Sequence, residues 1–203
     1  MEKQIIITIG REYGSGGREI AQKLSEKLDI SLYDKNILET IFMDNPEEAE
    51  KTCKYDEKLP ILGTSRHVRG MSNSPEESTA KKQFAFIYDK AVCGESFVVV
   101  GRCGSAVLAG REGLTRIFIC GDIEERVHRI MERNSLNEKQ ALSLIKKTDK
   151  EREQYHNKYA PLDWGKASSY DLCINSSTLG IDGTVDLIAD YVALNTKRRT
   201  VQK

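Results

Sequence analysis

Four glycines and two arginines in the stretch GREYGSGGR, residues 10–18, are the groups in this chain best suited to holding a phosphate. Gly10, Gly14, Gly16 and Gly17 permit positive φ and leave room for an anion against backbone N–H groups. A helix beginning beyond them would aim its positive end at the same point. The ordinary phosphate-loop pattern, G-x-x-x-x-G-K-[ST], is not met. With the register anchored on Gly14-Ser15-Gly16, Gly17 stands at the lysine and Arg18 at the hydroxyl residue. Arg18, one residue late, is the first candidate for the missing cation and Arg11 the second, although arginine does not reproduce lysine's geometry. From the glycines alone, a kinase and a binder without chemistry are equally good readings, and a turn that binds nothing is the bland one.

A second group of candidates follows the apolar run Phe97-Val98-Val99-Val100. Arg102 and Cys103 come directly after it, where ligands of parallel α/β sheets bind. Arg102 reads as a ligand contact set against a structural salt bridge, and Cys103 as a thiol on the polar rim. The charged run from Lys146 to Lys158 suits a solvated helix face laced by i,i+4 pairs. Glu12 and Glu19 lie close to the loop, but each could equally pair with Arg11 or Arg18, so no metal ligand is assigned. His67, His128 and His156 lack ligand spacing and are expected on the surface. The five cysteines are odd in number and contain no C-x-x-C pair, which supports neither a disulfide framework nor a zinc site. Cys93, Cys120 and Cys173 sit in apolar contexts and are expected to be small buried hydrophobes.

The elements that must position these groups alternate along the chain. Ile5, Ile6, Ile7 and Ile9 form a β-branched run that reads as a strand buried on both faces. A helix with Ile20, Ala21, Leu24 and Leu28 inward follows, then a short strand at 31–34 and a helix through Leu38, Ile41 and Phe42. Residues 44–64 are polar and poorly periodic, and read as the mobile or inserted region. Ser74-Pro75-Glu76-Glu77 opens a helix ending near Gly94. Strands at 97–100, 117–120 and 172–174 alternate with helices, one capped by Asp122, one by Asn137 and Gln140, and a last one through Val185, Ile188 and Val192. The basic tail Lys197-Arg198-Arg199 reads as a frayed end. Five strands in this alternation predict a parallel sheet with helices on both faces, whose carboxyl-end rim carries the Gly10 to Arg18 loop, Asp34, Arg102 and Cys103.

Composition narrows the function classes. The 203 residues suit one domain, and 31 basic against 31 acidic residues leave no excess charge for a dedicated nucleic-acid binder. No apolar run reaches membrane-spanning length and the N-terminus lacks signal-peptide regions, so a cytoplasmic protein without a membrane partner is expected.

The ordered segments ITIGREYGSGGREIA, LYDKNIL, VVVGRCGS, RIFICGDIEERVHRIMER, IKKTDKEREQYHNKY and YDLCINSSTLGIDGTVDLI resemble the cytidylate kinase-like branch of the P-loop nucleoside monophosphate kinases. The resemblance covers nearly the whole chain. It implies a three-layer α/β P-loop fold over 1–203, with an acceptor-binding insertion at 35–82 and a lid at 133–160. It further implies ATP and Mg2+ as cofactors and a small nucleotide acceptor, CMP or dCMP first. In its terms Gly14, Ser15, Gly16 and Gly17, with Arg11 and Arg18, would cradle the donor phosphates, and Arg102 would contact the acceptor. Asp149 and Arg152 match the D-x-x-R part of the lid motif. The first lid arginine falls at Ile145, so Lys146 or Lys147 would have to substitute. Cys103 replaces the aspartate of G-R-D. Asp34 matches the aspartate of the acceptor motif, but Lys35 stands at its serine or threonine. Arg18, Arg102, Asp149 and Arg152 are the expected catalytic set. These departures keep two alternatives open: a non-catalytic nucleotide- or phosphate-binding regulatory module, and a phosphotransferase for another small acceptor.

Overall fold

The computed structural model of the chain describes residues 3–43, 45–60, 67–68, 71–72 and 74–201. Its strands are β1 (Ile6–Arg11), β2 (Ser31–Tyr33), β3 (His67–Val68), β4 (Met71–Ser72), β5 (Phe97–Val100), β6 (Leu114–Cys120) and β7 (Leu172–Asn175). Its helices are α1 (Gly17–Leu28), α2 (Ile37–Ile41), α3 (Pro46–Cys53), α4 (Pro75–Val92), α5 (Gly104–Val107), α6 (Ile123–Asn134), α7 (Glu138–Tyr159) and α8 (Ser176–Val201). Five strands form one parallel sheet in the order β2-β5-β1-β6-β7, and β3 pairs antiparallel with β4 apart from it.

Alternation along the strands builds a core on each face of the sheet. Ile7, Ile9, Val98, Val100, Ile117 and Ile119 pack with Ile20, Ala21 and Leu24 of α1 and Val185, Ile188 and Val192 of α8. Ile6, Phe97, Val99 and Leu114 pack on the other face with Ile37 and Leu38 of α2 and Ile87 and Ala91 of α4. Both faces of β1 are therefore sealed, as the β-branched run requires. The result is a three-layer α/β architecture.

Capping explains several boundaries. Ser74 accepts from the Glu77 N–H at 3.4 Å with Pro75 opening α4, and Asn137 with Gln140 forms a reciprocal capping box on α7. Asp122 departs from expectation. It precedes α6 without a side-chain cap bond, and its Oδ1 accepts from Asn175 Nδ2 at 2.8 Å, tying the helix start to the end of β7.

Other expectations are corrected by tertiary contacts. β6 begins at Leu114 because Leu114 pairs with Ile6 of β1. Within the polar stretch 44–64, residues 46–53 form α3, whose cap Asn45 accepts from the Glu48 N–H at 3.2 Å; position 44 and positions 61–64 lie outside the described residues. The tail is helical through Val201, and non-helical backbone at Gly180 interrupts α8 near its start. Cys93 and Cys173 are exposed and Cys120 is half-buried. Cys93 falls one residue past α4, and Cys173 lies on the edge strand β7, so no second layer covers either thiol. His128 is exposed as expected, but His156 is buried on α7; the His67 side chain is outside the described residues.

Candidate functional site

The loop between β1 and α1 is held by its carbonyls. Arg126 Nε donates to the Tyr13 carbonyl at 2.8 Å, Arg129 donates to the Gly14 carbonyl, and Ser176 Oγ donates to the Ser15 carbonyl at 2.7 Å. Arg133 Nη2 donates to the Tyr13 hydroxyl at 2.6 Å. Gly14 and Gly16 take φ of 86° and 77°. Helix α1 starts without a side-chain cap, and the N–H groups of Gly16, Gly17, Arg18 and Glu19 have no hydrogen-bond partner among the described residues. Open N–H groups at the start of a helix that is 12 residues long suit a phosphate.

The cation that reaches this cleft is Arg11. A Cβ at Gly17 would come within 2.7 Å of Arg11 Cβ, so the Arg11 side chain fills the space beside the position of the missing lysine. Arg11 has the parity of Ile7 and Ile9 and so faces α1, where only a glycine at 17 leaves it room. Arg18 is turned elsewhere. Its side chain is 55% exposed, and its Nε lies 2.6 Å from Asp34 Oδ2. The first candidate is thus bound up at the outer edge, and the second lies in the cleft.

At the end of β5 three consecutive residues, Gly101, Arg102 and Cys103, have φ of 75°, 51° and 49°. Left-handed backbone at two non-glycine residues costs on the order of 1–3 kcal/mol each and here turns Arg102 inward. The Arg102 side chain is 2% exposed, and it pairs with Asp56 and, at 3.4 Å, with Glu57. Arg11 faces the same carboxylate with both arms, Nη1 to Oε1 and Nη2 to Oε2 at 3.3 Å each. Burial alone would raise the Glu57 carboxyl, but Arg11, Arg102 and Arg152 overcome it and hold the group far below the usual carboxylate range. Burial raises Asp56 against the pull of Arg102.

Helix α7 joins the loop to this cluster. Asp149 Oδ1 accepts from the Tyr13 N–H at 2.6 Å, and Asp149 also pairs with Arg126. Arg152 Nη1 donates to the Arg11 carbonyl at 3.3 Å and lies over the Tyr13 ring. Burial and the Arg11 cation push Arg152 down to about 9. Beneath the rim, a cavity of about 30 Å³ is lined by Thr8, Arg102, Cys103, Tyr155, His156 and Tyr170 among others, room for about two water molecules. The Thr8 hydroxyl, Arg102 Nε, Tyr155 hydroxyl and His156 Nε2 are buried there without a protein partner. Burial pushes the Cys103 thiol up to about 12, so it is a neutral, enclosed group and not a rim thiol.

Of the sequence candidates, the structure gathers Arg11, Gly14 to Gly17, Arg102, Asp149 and Arg152 around one cleft. Asp34 is buried but engaged by Arg18, and Lys35, Lys146 and Lys147 are exposed, Lys147 lying 4.0 Å from Glu151. Asp56, Glu57 and the α6 arginines were not among the candidates. The arginines carried a signal, since 126, 129 and 133 recur on one helical face. Glu57 carried none, because only folding brings residue 57 beside residues 11 and 102.

A phosphate chain fits the open loop; a dedicated magnesium cage does not. Glu12 pairs with Arg126 at 3.1 Å and accepts from the Gly121 N–H at 3.1 Å, while Asp34 and Asp149 also hold arginines. Among the described residues no group of three His, Cys, Asp or Glu side chains could hold a metal ion. A magnesium ion would need oxygen ligands other than these carboxylates.

A family model described as the cytidylate kinase-like family matches residues 6–178. The chain belongs to the cytidylate kinase-like family. An uncharacterized protein from Eubacterium ventriosum ATCC 27560 is 36% identical, with a TM-score of 0.74, over 94% of this chain and 99% of its own. A gluconokinase from Sinorhizobium meliloti 1021 has a TM-score of 0.57 at 13% identity, covering 100% of this chain and 99% of its own. A shikimate kinase from Bacteroides thetaiotaomicron has a TM-score of 0.55 at 10% identity, covering 93% of this chain and 98% of its own. These two likenesses show the fold. Among curated proteins, a uronate isomerase from Corynebacterium glutamicum is 29% identical over 96 residues, 47% of this chain and 18% of its own length. This member of the cytidylate kinase-like family is therefore a kinase-like P-loop protein, and no helix among its described residues is long and apolar enough to cross a membrane.

Proposed function

We propose that the chain is a cytoplasmic enzyme that transfers a phosphoryl group from ATP to a small acceptor carrying its own phosphate, a nucleoside monophosphate with CMP or dCMP first. The observation that carries this reading is the path of Arg11, which passes Gly17 and ends between the open helix terminus and the Arg102 cluster. The N–H groups of Gly16 to Glu19 bind the donor phosphates. The Arg11 guanidinium offsets the charge that spreads over the transferred group, and Arg102 and Arg152 hold the acceptor's anion. Asp149 positions the loop through the Tyr13 N–H. Magnesium carried in on the nucleotide's own phosphates would supply further charge neutralisation. Residues 133–160 serve as the lid and 35–82 as the acceptor-binding insertion. No protein nucleophile is needed.

Two observations favour the other readings. The cleft arginines already hold internal carboxylates, as a non-catalytic nucleotide- or phosphate-binding module would tolerate. Cys103 is neutral and enclosed where the family motif has an acceptor-reading aspartate, which suits a different small acceptor.

The test is magnesium-dependent transfer from ATP to CMP, dCMP, UMP, AMP and GMP, with shikimate and gluconate in the same panel and ATP binding titrated alongside. Turnover on CMP or dCMP that collapses in Arg11→Ala is the expected result. ATP binding without transfer to any acceptor would replace it with the regulatory module, and transfer to a hydroxy acid alone would replace the nucleotide.

A further inference from the structure

Glu57 is the anomaly of the cleft. Its carboxylate sits where Arg11, Arg102 and Arg152 converge, with both oxygens met by Arg11 and one also by Arg102, whose backbone N–H lies 3.4 Å from Oε1. This is the two-pronged arrangement by which arginine grips carboxylates and phosphates. The residue lies outside regular structure, beyond α3, and is itself left-handed at φ 49°. A non-glycine residue in that conformation is sustained by what surrounds it, here the ion pairs at its tip. Among the described residues, the hydrogen bonds that anchor the Glu57 side chain all come from Arg11 and Arg102.

Charge counting indicates what belongs in its place. Three guanidinium groups face Asp56 and Glu57, leaving one net positive charge with Glu57 seated and two without it. Two positive charges match the dianion of a phosphate monoester more closely than they match a single carboxylate. Asp56 stays in place in either state, held by Arg102 and by Gln83 Nε2 at 2.9 Å.

We propose that Glu57 is an internal competitor for the acceptor's phosphate: it occupies the three-arginine seat in the free protein, and a phosphate monoester binds by displacing it. This rests on the phosphoryl-transfer reading for the identity of the displacing ligand, while the displacement itself is independent of turnover. The device offsets one of the two positive charges that Asp56 leaves unmatched in a buried cleft, where their desolvation would be costly. It also makes acceptor affinity the difference between two anions competing for one seat, so a singly charged acceptor gains little over the residue already there.

The experiment is calorimetric titration of the full chain with inorganic phosphate and with CMP, without ATP, comparing the natural protein with Glu57→Gln. The variant keeps the shape and removes the competing charge, and at least about tenfold tighter binding of both ligands is expected. Equal or weaker binding in a folded Glu57→Gln protein overturns the proposal, even if the natural protein turns over CMP. Tighter binding without turnover on any acceptor sustains it and rejects the kinase reading. If the variant does not fold, hydrogen exchange on the natural protein decides. A concentration of CMP that saturates its binding should accelerate exchange of the amides in residues 54–60, and unchanged or slowed exchange there overturns the proposal.

Discussion

At the phosphate loop, Arg126, Arg129 and Arg133 meet backbone carbonyls, a tyrosine hydroxyl and the carboxylates of Glu12 and Asp149, and the N–H groups of the α1 terminus stay open. Some residues away, at the end of β5, Arg11 and Arg102 meet Asp56 and Glu57. The first half of the cleft is preorganised by cations that shape the loop without occupying its binding face. The second half is closed by anions that stand in the binding face itself. On the proposed reading a ligand enters one half by adding contacts and the other by exchanging them, so affinity in the two halves should answer differently to substitution.

The largest effect is expected where a buried cation is removed. Arg102→Ala leaves Asp56 and Glu57 without their shared partner and should lower unfolding stability by about 3–5 kcal/mol, read by urea denaturation. A loss below about 1 kcal/mol would mean that the half of the cleft at the end of β5 is not held together by this pairing. Arg11→Ala should reduce phosphoryl transfer on the order of 10²–10³-fold. Arg18→Ala, which removes an edge pair with an exposed arginine, should change it by less than about tenfold. Equal losses in the two variants would erase the distinction between the arginine inside the cleft and the one outside.

Restoring the ordinary loop residue should fail in this setting. Gly17→Lys drives a side chain into the space of Arg11 and should cost about 1–3 kcal/mol. Arg11→Gly in the same chain should relieve that cost, and a double-mutant cycle with strong coupling checks it. The smallest effect concerns His156, whose pKa burial lowers in the folded state. The unfolded chain takes up this proton near the ordinary value of about 6.5, while the folded chain takes it up only at lower pH. Stability is therefore full above that pH and falls below it, by at most about 1.4 kcal/mol per pH unit. His156→Asn should flatten the acid limb of a stability profile measured from pH 5 to 8.

Much of the fold was legible in single segments. The apolar runs at 5–9, 97–100 and 117–120 read as strands from their β-branched content and short length, and the Ser74-Pro75 and Asn137-Gln140 signals marked helix starts because caps are local. What misled was local pattern without its neighbours. Cys93 and Cys173 sit beside apolar residues yet are exposed, since burial depends on whether another layer covers that face. His156 has no ligand spacing and looks solvated, yet lines a cavity beside Thr8 and Cys103. Residues 46–53 have weak periodicity, and a single Asn45 cap bond with Pro46 behind it is enough to begin a helix there.

Periodicity, turn chemistry and motif spacing act over a few residues, so the parallel sheet, the glycine loop, the absence of the usual lysine and the presence of Arg102 at a strand end could all be read along the chain. That Arg11 and not Arg18 enters the cleft, and that Glu57 stands among the arginines, follows from contacts between distant parts of the folded chain. Two arginines seven positions apart look interchangeable along a chain. The strand parity of Arg11, the bare Gly17 beside it and the nearby Asp34 that holds Arg18 separate them in space. Ion pairs are chosen by where charges end up in three dimensions, and no local pattern in a single sequence encodes the 46 positions between Arg11 and Glu57 as a contact.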